Sequence, residues 1–178
     1  MFIHHPLVET LRRLRGNVRG CVYTEPLWGI PFNLYSPYVS VYMMALGMTD
    51  SQIGLLTSIG LALQVFWATM SGSITDKLGR KRTTLRCDVI SGSGAMLLWA
   101  LARGFPWFLA AVALNSVVRI VQTSWTCLAI EDAPVGQRVH FYTWISIAGV
   151  LAGFIAPLSG VLVGRFGLVP AMRGLYVF

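Results

Sequence analysis

The sequence is short of charge. Of its 178 residues only 12% are Asp, Glu, Lys or Arg, while 55% are hydrophobic. A soluble domain carries about 25% charged residues, so too little charge is present to clothe a water-facing surface. Acids are scarcer than bases: seven Asp and Glu stand against fourteen Lys and Arg, a formal net charge of +7. The cations lie in short segments between apolar runs and form no continuous basic face, so nucleic acid is not an expected partner. Histidine occurs only at positions 4, 5 and 140, without a carboxylate cluster at metal-ligand spacing, and no metal site is expected. The three cysteines, Cys21, Cys87 and Cys127, give neither a C-x-x-C pair nor a closed disulfide framework. No Ser-His-acid set and no Gly-Lys-Ser/Thr phosphate loop is present. The chain is therefore not expected to be an enzyme, to hold a cofactor or to be driven by ATP.

What the sequence has instead is long apolar runs, with a mean hydropathy of +0.64. They cover about 21–46, 52–74, 84–102, 105–129 and 140–163. Each reaches the roughly 20 residues that a helix needs to cross the hydrocarbon core. A sixth stretch starts at about Leu168 and has about eleven residues before Phe178, roughly 16 Å of helix against a core of about 30 Å. The expectation is an all-α, polytopic transmembrane bundle of five full spans and the start of a sixth. No basic tail follows the last stretch, so the chain reads as cut off. Residues 1–20 lack an apolar core, but Leu7, Leu11, Leu14 and Val18 recur at helical spacing among Arg12, Arg13, Arg15 and Arg19. That pattern predicts a short amphipathic helix on the membrane surface.

Charge placement sets an expected orientation. With the amino terminus in the cytoplasm, the inside collects Arg12, Arg13, Arg15, Arg19, Lys77, Arg80, Lys81, Arg82, Arg86 and Arg138. The outside collects only Arg103, Arg165 and Arg173. The expected location is the cell membrane, with the lipid bilayer as the first partner.

The densest polar block follows the second run: Gly72-Ser-Ile-Thr-Asp76-Lys77-Leu-Gly79-Arg80-Lys81-Arg82. Gly79 can take the left-handed geometry of a tight turn, and Asp76 sits among cations. The order Gly, three residues, Asp, basic, any, Gly, Arg, basic resembles the signature loop between helices two and three of the major facilitator superfamily. Ser51-Gln52-Ile53-Gly54-Leu55-Leu56 looks like that family's entry to helix two. Arg119-Ile-Val-Gln122 resembles its intramembrane Arg-x-x-Gln element, although Thr123 stands where Gly is usual. Ala156-Pro157-Leu-Ser-Gly160 is similar to the Gly-Pro-x-x-Gly element of proton-linked antiporters, with Ala in place of the first Gly and with different upstream spacing, so antiport does not follow. The resemblance covers about residues 20–178.

The resemblance implies the amino-terminal six-helix half of a twelve-helix secondary transporter, built from inverted three-helix repeats. Such a protein moves a small-molecule substrate by alternating access, by symport or antiport. It implies that Asp76 and Arg80 form a cytoplasmic latch, with Glu131 and Asp132 as acids at the end of helix four. On the residues alone, a cation at Arg119 near mid-span costs about 2.5–3.5 kcal/mol unless it is paired or wet. Glu25 is the one acid inside the first run. Either it faces the same pathway as Arg119, pairs with it and couples transport to protons, or it pairs with Arg19 nearer the cytoplasm. Asn33 and Tyr35 are weaker pathway candidates, Gln122 follows from the Arg-x-x-Gln element, and Asp88 is expected to pair with Arg86 or other loop cations. The fifth run repeats small residues at Gly149, Ala152, Gly153, Ala156, Gly160 and Gly164, a pattern for close helix packing. The resemblance directs that stripe, including Pro157, at the second half, which would come in cis or as a partner chain. A non-transporting membrane fragment or half-transporter is the alternative reading.

Overall fold

In lipid a backbone must satisfy its own N–H and C=O groups, and for apolar runs without strand alternation that means helix. The computed structural model describes residues 9, 11, 16–131, 133, 136 and 138–177. Among these residues every regular element is helical.

Helix α1 spans 16–45 and is bent. Gly16–Tyr35 holds Pro26 and Pro31, a short 3₁₀ turn follows at Ser36–Tyr38 around Pro37, and Val39–Ala45 completes it. Helix α2, Asp50–Leu78, is 29 residues long and starts on a capping box. The Thr49 hydroxyl accepts from the Gln52 backbone N–H, and the Gln52 side chain accepts from that of Thr49, which satisfies two otherwise orphaned donors. Helix α3 spans 80–101 as Arg80–Asp88, a π segment Val89–Gly94 and Ala95–Leu101. Helix α4, Phe105–Glu131, tightens at Val117, and helix α5, Arg138–Phe166, turns at Phe154 and Ile155 just before Pro157. Helix α6 is Leu168–Val177. By length and composition α2, α4 and α5 each suffice to cross a membrane.

Two boundaries differ from the sequence reading. The polar block at 75–82 is not a loop. Thr75, Asp76 and Lys77 finish α2, Arg80 opens α3, and Gly79 alone makes the turn, at φ 82°. The Thr75 carbonyl accepts from the Gly79 N–H at 3.0 Å, and the Gly79 carbonyl accepts from the Thr83 N–H at 3.0 Å, so α2 ends and α3 begins on the same residue. The first helix begins at Gly16, inside the segment assigned to a surface helix; most of that segment, including Arg12, Arg13 and Arg15, lies outside the described residues.

Helix α4 packs on both α2 and α3; α6 packs on α3 and α1, and α1 on α5. Helices α2 and α5 stand at opposite ends of this order, and most of their apolar residues are exposed. Two apolar clusters tie the bundle. One, away from the Gly79 turn, gathers Tyr42, Leu56, Trp99, Phe108, Met172 and Tyr176. Within it the Tyr42 hydroxyl donates to the Trp99 carbonyl at 2.9 Å. The other, toward the Gly79 turn, packs Val18, Cys21 and Val22 of α1 against Ala129, Ala133 and Phe141.

Candidate functional site

Polar side chains in an apolar bundle are costly unless they meet each other, and α4 collects most of them. Gly60, Gln64, Ser71 and Thr75 lie on one face of α2, at spacings of four, seven and four. Opposite them on α4 stand Val112, Arg119 and Thr123. Gly60 lets the two helices close on Val112. Arg119 donates from Nε to Gln64 at 2.8 Å and from a terminal nitrogen to Gln122 at 2.8 Å. The Thr123 hydroxyl donates to that of Ser71 at 3.0 Å. The paired numbers rise together, so α2 and α4 run parallel. On its other side α4 meets α3. The Thr84 hydroxyl donates to Ser124 at 2.9 Å, and the Asn115 amide donates to the Ser91 carbonyl at 3.1 Å. Ser91 lies in the π segment, where a carbonyl drops out of the regular ladder; Asn115 takes it up.

At the Gly79 turn, Arg80 reaches across to Glu131 at the end of α4, 2.5 Å away. The hydrogen bond that Arg80 donates to Glu131, and then the charge of Glu131, hold the Arg80 guanidinium above its usual range, with a smaller pull from Asp76. Asp76 and Lys77 are exposed, and a concavity of about 600 Å³ opens between Asp76, Gly79, Arg80, Lys81 and Glu131. Asp132, the other acid expected here, lies outside the described residues. Gly72 is exposed, and no atom stands within 4 Å of where a Cβ would go.

A second cavity, of about 570 Å³, lies among α1, α3, α4 and α5. Its walls include Glu25, Trp28, Asp88, Gln122 and Trp125. Glu25 makes no ion pair with Arg119 within 4 Å; Arg119 donates instead to Gln64 and Gln122. The link between them is indirect, since Gln122 both accepts from Arg119 and lines the cavity with Glu25. Asp88 corrects its expectation too. It makes no ion pair within 4 Å among the described residues and turns to the cavity instead. Asn33 and Tyr35 do not line that cavity; the Asn33 amide donates to the Gly29 carbonyl at 2.7 Å.

The small residues of α5 divide. Ala152 is buried, and its Cβ would stand 3.2 Å from a Cβ on Gly29 of α1. Gly153 approaches Asn33 and Gly160 the Tyr38 hydroxyl, where a Cβ would come within 3.8 and 3.2 Å. These positions pack within the bundle, against α1. Gly149 and Pro157 are exposed, and Ala156 is half-buried. Sequence reasoning missed Gln64, a lone amide in an apolar run, and missed Gly60. The signal for both was their distance of four residues on one face of a span.

A family model described as Major Facilitator Superfamily matches residues 28–178. Among curated proteins the chain is similar to the multidrug resistance protein MdtG of Serratia proteamaculans, 29% identical over 157 residues. The MdtG proteins of Yersinia enterocolitica and Erwinia billingiae are 29% and 30% identical over the same length. In each case the match covers 85% of this chain and 37% of the relative. The chain thus spans little more than a third of the length of these relatives. No solved structure matches it.

Proposed function

Because this chain belongs to the major facilitator superfamily, we propose that it is the helix bundle that opens a secondary transporter, moving a small molecule across the cell membrane by alternating access. Its amino terminus faces the cytoplasm in this reading, which puts the Gly79 turn and its cations inside. The observation that carries the proposal is the Arg80–Glu131 ion pair. It joins the turn between α2 and α3 to the far end of α4, so that three helices are tied at one cytoplasmic point. A tie of that kind suits a bundle that rocks as a body against a second one. The polar column of Gln64, Arg119 and Gln122 supplies the hydrophilic face at mid-depth. The relatives' name puts drug-like small molecules forward as the first substrates to try. Protons are the proposed coupling ion, with Glu25 as the group that exchanges them.

The test uses cells stripped of their own dye exporters and expressing the gene's full reading frame. Export of a fluorescent dye is followed with the parent, Arg80→Glu, Glu131→Arg and the double exchange. The expected result is loss of export in each single variant and partial return in the double. Export that survives both single variants would remove the ion pair from the mechanism. Parent cells that export none of a broad panel of small molecules would remove transport itself.

A further inference from the structure

The start of α3 carries a face that the ion pair does not use and that meets the concavity at the turn only at its Gly79 end. Lys81, Leu85 and Val89 recur at spacings of four, and so do Arg82, Arg86 and Ile90, giving two adjacent rows along the helix. All six side chains are exposed, with Leu85 at 67% and Val89 at 56%. Each row is cationic at the end nearer Gly79 and apolar further along. From Lys81 to Val89 the rise is about 12 Å, the depth over which a bilayer passes from headgroups to acyl chains.

The charges on this face are uncommitted. Arg80 is held by Glu131, but Lys81, Arg82 and Arg86 have no carboxylate within 4 Å among the described residues. The acid of α3, Asp88, lines the cavity shared with Glu25. Gly79 caps α3 without a side-chain acceptor, so the positive end of the helix adds to the same field. Lys81 and Arg82 also border the concavity at the turn, but Asp76 and Glu131 form its other walls, and an anion is favoured on the outer side with Arg86.

We propose that this face is a binding site for an anionic phospholipid, its phosphate held by Lys81, Arg82 and Arg86 and an acyl chain lying along Leu85, Val89 and Ile90. The proposal rests on the membrane-embedded part of the reading above and not on transport. A chain that holds anionic lipid and moves no solute keeps this inference and sinks the other; transport without lipid preference does the reverse.

The experiment places the chain in phosphatidylcholine vesicles with trace spin-labelled phosphatidylglycerol or spin-labelled phosphatidylcholine. The motionally restricted fraction of each label is read by electron paramagnetic resonance. The expected result is a preference for phosphatidylglycerol that weakens as salt rises. It should fall by up to roughly fivefold per cation removed in Lys81→Gln, Arg82→Gln and Arg86→Gln, singly and combined. The charge-keeping set Lys81→Arg, Arg82→Lys and Arg86→Lys should retain it. An unchanged preference in the triple glutamine variant overturns the site. If that variant does not fold, the salt titration of the parent decides, because a preference indifferent to salt is not this one. Inorganic phosphate at matched ionic strength should leave the preference in place; its abolition would mean a site for free anions and would end the lipid proposal.

Discussion

Gly60→Ala tests the closest contact between α2 and α4. A Cβ at this position would lie 2.8 Å from Cγ1 of Val112, well inside van der Waals contact. Val112 cannot swing aside, because a β-branched residue in a helix has essentially one χ1 rotamer. The helices must therefore part by several tenths of an ångström, an overpacking cost of about 1–3 kcal/mol. Alanine returns up to about 1 kcal/mol of helix propensity. The net loss should be about 1–2 kcal/mol, near a tenfold shift in the unfolding equilibrium. Val112→Ala in the same chain removes the obstructing methyls. The double variant should recover most of the loss, a coupling of about 1–2 kcal/mol between touching residues. The assay is equilibrium unfolding by sodium dodecyl sulfate in mixed micelles, read from tryptophan fluorescence, for the parent, both single variants and the double. The reasoning is refuted if Gly60→Ala matches the parent, or if the double variant shows only the sum of the singles. One turn further along the same face, Gln64 meets Arg119, so Gly60→Ala should also weaken that hydrogen bond.

Other consequences follow from the polar groups. Gln64→Leu leaves Arg119 Nε without its acceptor and should cost about 1–3 kcal/mol in the same unfolding assay; Gln64→Glu supplies a counter-ion and should stabilise. A Gln64→Leu variant as stable as the parent would show that lipid or water serves Arg119 equally well. Glu25→Gln should abolish proton movement coupled to solute in reconstituted vesicles, while Asp88→Asn, on the far wall of the same cavity, should alter solute affinity more than coupling. Unchanged coupling in Glu25→Gln would withdraw the proton role from that residue.

The place of the Gly79 turn was legible because it is written in a local contrast. A dense charged block interrupts the apolar runs where the chain turns at Gly79, and the family resemblance directed Arg80 to an acid at the end of the fourth helix, with Glu131 and Asp132 as the two candidates. The partners of Arg119 were not legible in the same way. In a water-soluble bundle, polar residues mark the outer face of a helix and fix its rotation. Here the outer face of α2 carries Leu55, Leu61, Val65 and Phe66, as apolar as any core, so sequence does not say which side of α2 turns to α4. Gln64 and Gly60 become visible only once that rotation is known. The same ambiguity hid the approach of Gly153 and Gly160 to α1 and the place on the cavity wall of Asp88, which the nearby cations pulled toward Arg86 in the sequence reading. The π segment in α3 carries no sequence mark beyond Gly92 and Gly94.

A turn made by one glycine behaves mechanically as a pivot. Helix α2, about 43 Å from end to end at 1.5 Å per residue, is a long rigid arm rising from Gly79. If the bundle tilts as a body by about 10° about that point, the far end of α2 moves roughly 7 Å sideways while its base hardly moves. An ion pair beside the pivot has almost no leverage against such a swing. What Arg80 and Glu131 can do is stop the fulcrum from sliding, so that a small rotation at the base becomes a large, repeatable displacement at the opposite side of the bilayer.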